Sequence, residues 1–587
     1  MTRKIEFAAA ILIGMACGLY AGEFEFDVRP DGRYLAVPVE NGAPRILLEI
    51  FEDGRLLTRD TVEWSHNATA TWTGALDLGN AKGRILRFRF SGDNLPAISA
   101  RDMVFSDVRF PAPIGQYSEP WRPQLHFTPP SGRLNDPNGL SYFKGEWHMF
   151  YQHSPFTLKR GAKHWGHAVS RDLLHWHDVG SALAPDSAGR MFSGSAVVDT
   201  SNTTGFGTNA HVLVYTCAGE TFDLFTQRIA WSHDGRNYTK WPKAVVENRP
   251  DANRDPKVIW FAPGGYWVML VYGEVAKSRH GISFFTSPNL KDWTWASYMS
   301  GDFFDNGHYL YECPDMFEMQ IEGEGESRWI VTAANRQYAI GMFDGRSFVP
   351  EVERLEQMLP VGTISTPVYA WQTFSGVPDG RHVQIAWSKY DTLACRRKDV
   401  MFNQSMTLPM ELKLVRTDEG LRLARFPVNE LKALRAGQAT VLKDFNGELA
   451  EVMFSCVPVA DAIVALDLRG VRIEYHAIQR TLTINGHATS WKLDAKGRLG
   501  LHVFVDRVGL ELFSLDGLQY IPIPNVTPNP ARTDLSWKAW GMKQPVHSVT
   551  EKAWCLKSAM GGRKLAFCYR ESTGDESTGD RPLHGHR

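Results

Sequence analysis

The sequence predicts an all-β protein: a five-bladed β-propeller followed by a C-terminal β-sandwich and preceded by a small N-terminal β-domain. Three observations lead to this prediction. A short motif recurs through the middle of the chain, short apolar runs lie between its copies, and both flanks show the period-two alternation of strands. The 587 residues provide enough chain for several cores.

The composition excludes some classes of function. Lys and Arg total 64 and Asp and Glu total 65, so the chain lacks the basic excess typical of a protein that binds nucleic acid. Aromatic residues make up 12% and include 19 Trp. Aromatic side chains fill cores, and they also provide the flat faces on which sugar rings stack.

The N-terminus has the pattern of an export signal. A basic start at Met1 is followed by 15 uncharged residues from Phe7 to Ala21, a run too short to span a membrane as a helix. We expect residues 1–21 to be a cleaved signal peptide and the protein to be secreted or periplasmic. Cys17 leaves open a lipid anchor at the cell surface, although Gly14 stands where such a signal normally has Leu.

The N-terminal flank, residues 24–112, is predicted to be a small β-sandwich-like domain. The segments "RILLEIFEDGRLL" and "GRILRFRFSG" alternate with period two and contain turn residues. The Pro-rich stretch "PAPIGQYSEPWRP" then marks a linker.

The repeats of the middle region, residues 122–425, predict the propeller. Four segments share a pattern of Ser or Met, then Asp or Asn, then an aromatic residue: "SRDLLHW", "SHDGRNY", "SPNLKDW" and "MFDGRSF", which start at residues 170, 232, 287 and 342. Each interval holds about four short strands, which is the size of a propeller blade. Room on either side of the four units predicts five blades.

The C-terminal flank, residues 438–570, returns to strand alternation and is predicted to be a β-sandwich. A short helix in "FPVNELKALRAG" precedes it. The polar tail 571–587 is predicted to be disordered. The six cysteines outside the signal are too widely spaced for a disulfide framework or a metal motif. Cys555 and Cys568 could pair, or both could be free thiols.

Three acidic residues occupy corresponding positions in different units. Asp136 lies in "LNDPNG", Asp255 in "NRDPK" and Glu312 in "YECPD", each near a proline at the edge of an apolar run. Taken singly, each is typical of a turn. Because the inner strands of a propeller converge on a central funnel, acids in register with the repeat are expected to meet there.

These motifs, together with "HWGHAVSRDLLHW", "FSGS", "YAWQTF", "SMTLP" and "FVDRVGLELF", resemble glycoside hydrolase family 32, the invertases, inulinases and levanases. The resemblance covers roughly residues 122–570. Residues 24–112 resemble the extra N-terminal β-domain of some bacterial members. The family implies the release of fructosyl units with retention of configuration, and it implies no cofactor and no metal.

The resemblance also implies roles for the three acids. Asp136 is the nucleophile, Glu312 the general acid and then base, and Asp255 the stabiliser that holds fructose hydroxyls. A retaining glycosidase needs one ionised and one protonated carboxyl group. Crowding is expected to separate the three pKa values, with Glu312 protonated and Asp255 kept ionised by Arg254, which also donates to sugar oxygens.

Further residues match family positions that surround the terminal fructose. They are Asn135, Gln152, Trp165, Phe192 and Ser193. Outside these motifs, Gln152 would be read as a strand residue, Trp165 as core and Ser193 as a turn hydroxyl.

Four histidines suggest a metal site at first sight: His164, His167, His175 and His177. Their spacing falls in one turn and strand, so we do not predict one.

Two departures from the family pattern concern the rim of the predicted pocket. Arg133 stands where the family usually has Trp, and "LKRGAKHWG" replaces a stretch that usually carries Asn and Met. Both changes are expected to bring basic side chains near the rim, where they affect substrate preference more than catalysis.

The sequence thus predicts an exported retaining β-fructofuranosidase that acts on levan, inulin or sucrose. A non-catalytic fructan-binding protein and a fructosyltransferase are the alternatives. The linkage preference and the choice between endo and exo attack stay open.

Overall fold

The computed structural model describes residues 22–65, 70–93, 95, 97–108, 117, 119–219, 224–249, 253–276, 279–300, 309–352, 355–358, 368–389, 400–541 and 544–560. The predicted signal peptide with Cys17, the tail 571–587, Cys395 and Cys568 lie outside these residues. The structure is 57% strand and 2% helix, which confirms the predicted all-β class. In the part that is described, no helix combines the length and the apolarity needed to cross a membrane.

The N-terminal region forms two facing antiparallel sheets. In order of pairing, the first sheet contains Gly22–Val28, Leu86–Gly92, Arg45–Glu52 and Arg55–Glu63, and the second contains Trp72–Asp77, Tyr34–Val39 and Phe105–Ser106. Apolar residues alternate toward the space between the sheets, where Leu48, Phe88 and Phe90 are buried. A single-turn 3-10 helix, Ala100–Asp102, precedes the last strand.

Five antiparallel sheets, here called blades 1 to 5, follow along the chain in the described residues. Blade 1 comprises Gly132–Phe143, Glu146–Ser154, His164–Ser170 and His177–Leu183; blade 2 comprises Arg190–Asp199, Ala210–Ala218, Phe225–Ser232 and Thr239–Lys240; blade 3 comprises Arg254–Phe261, Tyr266–Ala276, Arg279–Ser287 and Thr294–Ser300; blade 4 comprises Asp315–Gln320, Ser327–Thr332, Gln337–Phe343, Phe348–Pro350 and Glu356–Gln357; blade 5 comprises Val368–Thr373, His382–Ser388, Ser405–Met406, Met410–Thr417 and Gly420–Pro427.

The first strands of the blades form a closed ring. The first strand of each blade contacts that of the next, and the first strand of blade 5 contacts that of blade 1. Blade 1 also takes the short strand Phe402–Asn403 as a parallel neighbour of its first strand. This is the arrangement of a β-propeller, in which the first strand of every blade faces the central axis.

The C-terminal region is again a pair of sheets. One contains Arg435–Thr440, Val546–Leu556, Ala450–Pro458, Leu499–Val505, Leu510–Ser514 and Tyr520–Ile523, and the other contains His487–Ser490, Thr481–Ile484, Val471–His476, Ile463–Leu468 and Leu535–Trp540. Their inward faces enclose one apolar core. The helix predicted before this region is a 3-10 helix, Asn429–Leu434, and a second 3-10 helix is Leu442–Asp444.

Buried charges connect this C-terminal pair of sheets to the start of the propeller. The carboxylate of Asp506 accepts hydrogen bonds from the backbone N–H groups of Gln124, at 2.7 Å, and Leu125, at 2.8 Å. The ring of His126 lies between Asp506 and Glu511, at 2.7 and 3.1 Å. Burial opposes a charge on His126, but the two carboxylates outweigh it and raise the pKa of His126 to about 10.

The N-terminal sheets dock on blade 1. Nε2 of His164 lies 2.9 Å from Oδ1 of Asp60, and each side chain is 1% exposed. The backbone N–H of Glu63 donates to the carbonyl of Phe156 at 3.0 Å, and the ring of Phe156 is part of the N-terminal core. The N-terminal sheets are therefore held against the strand that begins at His164.

Candidate active site

A cavity of about 1010 Å³ lies between the propeller and the N-terminal sheets. Its described lining comprises Arg45, Ile46, Leu47, Arg59, Thr61, Ser91, Gly92, Arg133, Asn135, Asp136, Gln152, Arg160, Gly161, Ala162, Lys163, Pro185, Arg190, Phe192, Ser193, Arg254, Asp255, Glu312, Tyr369, Trp387 and Lys389. The three acids predicted from the sequence come from separate blades, and all three line this one cavity.

Irregular pairing in the first strands directs side chains toward the cavity. The register shifts between Leu134 and Pro137 in blade 1 and between Met191 and Gly194 in blade 2. Comparable shifts occur where blades 3 and 5 begin. An extra residue in one strand of an antiparallel pair turns neighbouring side chains away from the regular alternation, and such bulges are common beside active sites.

Asp136 is held by a chain of polar side chains. The hydroxyl of Ser193 donates to Oδ2 of Asp136 at 2.7 Å. The amide nitrogen of Gln152 donates to the Ser193 oxygen at 3.2 Å and to the carbonyl of Met191 at 3.1 Å. Gln152 and Ser193 are 3% and 4% exposed, so the orientation of the Asp136 carboxylate is set by buried donors.

Asp255 is the most deeply buried of the three acids, at 6% exposure. Its backbone has φ of 63°, a left-handed conformation that is uncommon outside glycine, and its N–H donates to the hydroxyl of Thr216 at 2.8 Å. The backbone N–H of Cys313 donates to Oδ2 of Asp255 at 3.1 Å. Burial, followed by the negative charge of Glu312, raises the pKa of Asp255 to about 7.

Glu312 lies in the turn before blade 4 and also has a left-handed backbone, with φ of 54°. Nη2 of Arg254 donates to Oε1 of Glu312 at 2.8 Å, and the hydroxyl of Tyr369 donates to Oε2 at 2.5 Å. The thiol of the next residue, Cys313, lies 3.9 Å from Oδ2 of Asp136 and 3.6 Å from Oδ2 of Asp255. The carboxylates of Asp136 and Asp255 therefore both lie near the sulfur of Cys313, the residue that follows Glu312.

One expectation about this cluster is wrong. Arg254 was expected to keep Asp255 ionised, but its guanidinium bonds Glu312, and the pKa of Asp255 is raised. Arg254 and Asp255 are consecutive, but the strand is bulged between Arg254 and Lys257 and the backbone of Asp255 is left-handed, so the guanidinium reaches Glu312 although both residues line the cavity. The guanidinium attraction lowers the pKa of Asp255 less than burial and the charge of Glu312 raise it.

The predicted substrate contacts divide into two groups. Asn135, Gln152, Phe192 and Ser193 line the cavity. Trp165 does not: it is fully buried, and its indole N–H donates to the carbonyl of Phe192 at 2.9 Å. It supports the wall from behind and packs against Gly139 in the first strand of blade 1, where the pairing register shifts and a Cβ on Gly139 would lie 3.0 Å from the indole ring.

Several cavity residues were not singled out from the sequence. Tyr369, which lies in the quoted motif "YAWQTF", bonds Glu312, and Lys389 lies 3.9 Å from the centre of the Tyr369 ring. Arg45 and Arg59 come from the N-terminal sheets, for which no motif predicted a place in the site. Basic residues expected near the rim line the cavity: Arg133, which is buried, and Arg160 and Lys163 from "LKRGAKHWG", of which Arg160 is exposed.

The four histidines do not converge. His164 bonds Asp60, the ring of His167 lies 3.0 Å from that of His148, and His175 bonds Asp172 at 2.7 Å. Among the residues described, no group of three or more His, Cys, Asp or Glu side chains is arranged to hold a metal ion. Cys217, Cys313, Cys456 and Cys555 are free thiols.

Residues 126–427 match the description "Glycosyl hydrolases family 32 N-terminal domain". The levanase of Bacillus subtilis (strain 168) is 32% identical over 458 residues, which cover 69% of this chain and 66% of the levanase. The invertase of Schizosaccharomyces pombe is 38% identical over 272 residues, which cover 41% and 44%. The chain thus spans less than two thirds of either relative.

A solved structure has the same fold over most of its length. The fructofuranosidase from Schwanniomyces occidentalis, complexed with fructose, superimposes with a TM-score of 0.63 and 26% identity. The match covers 75% of this chain and 99% of that one. Taken together with the match of residues 126–427, these similarities show that the chain belongs to glycosyl hydrolase family 32.

Proposed function

We propose that the protein is an exported retaining β-fructofuranosidase that hydrolyses fructosyl linkages of levan, inulin or sucrose. The observation that carries the proposal is the meeting of Asp136, Asp255 and Glu312 in one cavity, each with different hydrogen-bond partners. Different environments give neighbouring carboxyl groups different pKa values, so that one can stay protonated as the acid while another is ionised as the nucleophile. The similarity to a levanase and an invertase supports the substrate class.

In the first step, Asp136 attacks the anomeric carbon of the fructosyl unit. The bond from that carbon to the leaving-group oxygen breaks, and Glu312 gives its proton to that oxygen. The product is a fructosyl ester of Asp136 and a free alcohol. The Ser193 hydroxyl, 2.7 Å from Oδ2, holds the attacking carboxylate and stays bonded to it in the ester.

In the second step, Glu312 takes a proton from water, and the resulting hydroxide attacks the same carbon. The ester bond to Asp136 breaks, and fructose leaves with its original configuration. Asp255, deep in the cavity, holds sugar hydroxyls in both steps. These exchanges regenerate both carboxyl groups.

The test follows fructose release from sucrose, inulin and levan by the wild type and by Glu312→Gln. We expect the variant to lose about 10²- to 10⁴-fold in rate, and less with a fluoride leaving group, which needs no proton. Proton NMR spectra recorded early in the reaction should show the released fructose as its β-anomer. Full activity of Glu312→Gln, or initial release of the α-anomer, would contradict the proposal.

The same experiment separates the alternatives. A fructan-binding protein would release no fructose from any of the three substrates. A fructosyltransferase would give longer oligosaccharides at high sucrose, with glucose released in excess of fructose. Export is tested separately, by N-terminal sequencing of the protein recovered outside the cytoplasm, which should begin just after residue 18 or 21.

A further inference from the structure

A second cavity, of about 770 Å³, lies at the other end of the propeller axis from the cavity that holds the three acids. The latter, here called the active-site cavity, contains Asp136 and Asp255, which lie near the starts of the first strands of blades 1 and 3. The second cavity is lined where the first strands end: at residues 142–143 of blade 1, 197–199 of blade 2, 257–260 of blade 3, 316–318 of blade 4 and 373 of blade 5. All five blades therefore contribute to it, and it is here called the far-end cavity.

A buried ion pair lies between the two cavities. Nζ of Lys257 lies 2.7 Å from Oδ1 of Asp315 and donates to the carbonyl of Thr373 at 3.2 Å. The backbone N–H of Thr373 donates to Oδ2 of Asp315 at 2.6 Å, so blades 3, 4 and 5 are joined at this level of the axis. The side chains of Lys257 and Asp315 are 5% and 0% exposed, and no described residue lines both cavities. A ligand in the far-end cavity is therefore held apart from the three acids.

Partly exposed aromatic rings from three blades line the far-end cavity: Tyr142, Trp260 and Trp329. Trp260 is 40% exposed, which is a large exposure for tryptophan. The buried ring of Trp267 packs against it edge to face, with 4.9 Å between the ring centres. The indole N–H of Trp267 donates to Oγ1 of Thr203 at 2.8 Å. Trp260 is thus backed by a fixed ring, while part of its own surface stays open to a ligand.

Five Lys, Arg, Asp or Glu side chains line the far-end cavity. Three of them are engaged within the protein: Lys257 with Asp315, Arg381 with Glu430 at 2.7 Å, and Asp199 with the hydroxyl of Thr204 at 2.7 Å. The other two, Lys144 and Glu318, are exposed and carry opposite charges. A site with its charges arranged in this way favours a neutral ligand over an ionic one.

We propose that the far-end cavity is a second, non-catalytic saccharide site that holds a fructan chain, with a sugar ring stacked on Trp260. This inference rests on the proposed fructosidase function, because the occupant is the polymer that the active site would cut. A sugar is neutral and has an apolar ring face that fits an aromatic side chain. Lys144, Thr200 and Asn209 are exposed on the same cavity and supply hydrogen-bonding groups for its hydroxyls. The volume is within the range of small-molecule sites.

The distance between the two cavities determines which substrates the second site affects. Asp136 and Phe143 lie in one strand and are separated by roughly 20 Å along it. Sucrose bound at Asp136 is too short to reach the far-end cavity. A polymer offers many stretches of chain, so binding one of them at the far end raises the concentration of the others around the active site.

The kinetic test compares sucrose with polymeric levan and inulin. We expect Trp260→Ala to raise KM for at least one polymer by about 3- to 10-fold at unchanged kcat, as the loss of one stacked ring would. Its kcat/KM on sucrose should stay at the wild-type value. Trp260→Phe keeps a flat ring and should restore most of the affinity for the polymer.

Trp295→Ala is the matched control for these measurements. Trp295 is 50% exposed in the last strand of the same blade and does not line the far-end cavity. Its KM for the polymers should equal that of the wild type. An unchanged KM for both polymers in Trp260→Ala, an equal rise in Trp295→Ala, or an equal loss on sucrose would overturn the proposal.

A second measurement does not depend on catalysis. Isothermal titration calorimetry follows the binding of levan and inulin oligosaccharides, and of malto- and cello-oligosaccharides for comparison, to Glu312→Gln. We expect the fructan oligosaccharides to bind at both cavities. Adding Trp260→Ala should remove one of the two binding events, and adding Trp295→Ala should remove neither.

The outcomes of the calorimetry distinguish this inference from the proposed function. If no substrate releases fructose, the proposed function fails, whereas fructan binding that depends on Trp260 still supports the far-end site. Fructan binding that is the same with and without Trp260, or binding of glucans alone at Trp260, would refute the fructan site.

Discussion

Arg254 donates two hydrogen bonds to a single oxygen of Glu312, from Nε at 3.0 Å and from Nη2 at 2.8 Å. The other oxygen of Glu312 accepts the hydroxyl of Tyr369 at 2.5 Å. The guanidinium also lies over the ring of Tyr272, 4.6 Å from its centre, which fixes its plane. Both oxygens of the proposed acid are thus engaged in this structure. Oε1 accepts both bonds from Arg254, whereas Oε2 accepts one from Tyr369, so Oε2 is the oxygen with further capacity to contact a glycosidic oxygen.

Replacing Arg254 by Lys should therefore impair catalysis with the charge retained. An ammonium group is a point charge and cannot reproduce two donors from one plane. We expect kcat/KM on sucrose to fall about 10- to 100-fold, at unchanged Tm. The control is Arg381→Lys, since Arg381 bonds Glu430 of the 3-10 helix Asn429–Leu434 at 2.7 Å and does not line the active-site cavity. A fully active Arg254→Lys protein would show that the pairing is dispensable.

Ser193→Ala should weaken Asp136 in its proposed role as the nucleophile. The variant removes the donor 2.7 Å from Oδ2 of Asp136, and the loss of a hydrogen bond to a charged group should lower kcat by roughly 10-fold or more. Ser195→Ala is a matched control in the same strand: Ser195 is also 4% exposed, but its hydroxyl accepts from the N–H of Val258. That variant should lower Tm without an equal loss of kcat. Equal kinetic losses in both would indicate a purely structural effect.

The substitution Asp255→Asn should increase the stability of the folded protein relative to the wild type, and by more as the pH rises. The folded-state pKa of about 7 lies above the ordinary 3.8, so the folded state keeps a proton that the unfolded state releases between these values. The ionised wild type consequently loses stability over this range, and an amide does not. Thermal unfolding at pH 4, 6 and 8 should show a Tm gain for the variant that grows with pH.

Asp234→Asn is a comparison for which we expect a change in Tm of the opposite sign. Burial raises the pKa of Asp234, but hydrogen bonds from Asn237 and Arg236 outweigh it and lower the pKa to about 2. Its contribution is present above the ordinary pKa and is lost as the pH falls through about 2. Asp234→Asn should therefore lower Tm at pH 8. A pH-independent Tm difference for Asp255→Asn would contradict the assignment for Asp255.

The contact between Asp60 and His164 should stabilise the whole chain. Both groups are buried, and removing one partner leaves the other without this hydrogen bond. We expect Asp60→Ala to cost about 3 kcal/mol in unfolding free energy, whereas Asp107→Ala should cost less than about 1 kcal/mol. Asp107 pairs with Lys82 on the exposed surface of the same region. Chemical denaturation measures both, and equal costs would rule out this role.

Much of the architecture could be predicted because it depends on local patterns. Alternation and turn residues predicted the strands, and the spacing of the four repeated segments predicted units that the structure arranges in a ring. The acids could be proposed because Asp136, Asp255 and Glu312 occupy equivalent places in those units. The roles assigned to them remain proposals.

The arrangement around the acids could not be predicted in the same way. The partner of Arg254 depends on the bulge in its strand and on the left-handed backbone of Glu312, neither of which leaves a clear pattern in the sequence. The place of Trp165 behind the wall depends on packing against Gly139. Arg45 enters the cavity only because the N-terminal sheets dock on blade 1.

The ring of first strands also has a consequence for the protein under stress. Each acid is delivered by a separate blade, so their mutual positions depend on closure of the whole circle, including the junction of Phe402 with Gly132. A slight opening of that junction would separate the three carboxyl groups while nearly every strand kept its own partners. Turnover should accordingly disappear at lower urea concentrations than the far-ultraviolet circular dichroism signal, which makes activity the more sensitive gauge of damage during storage.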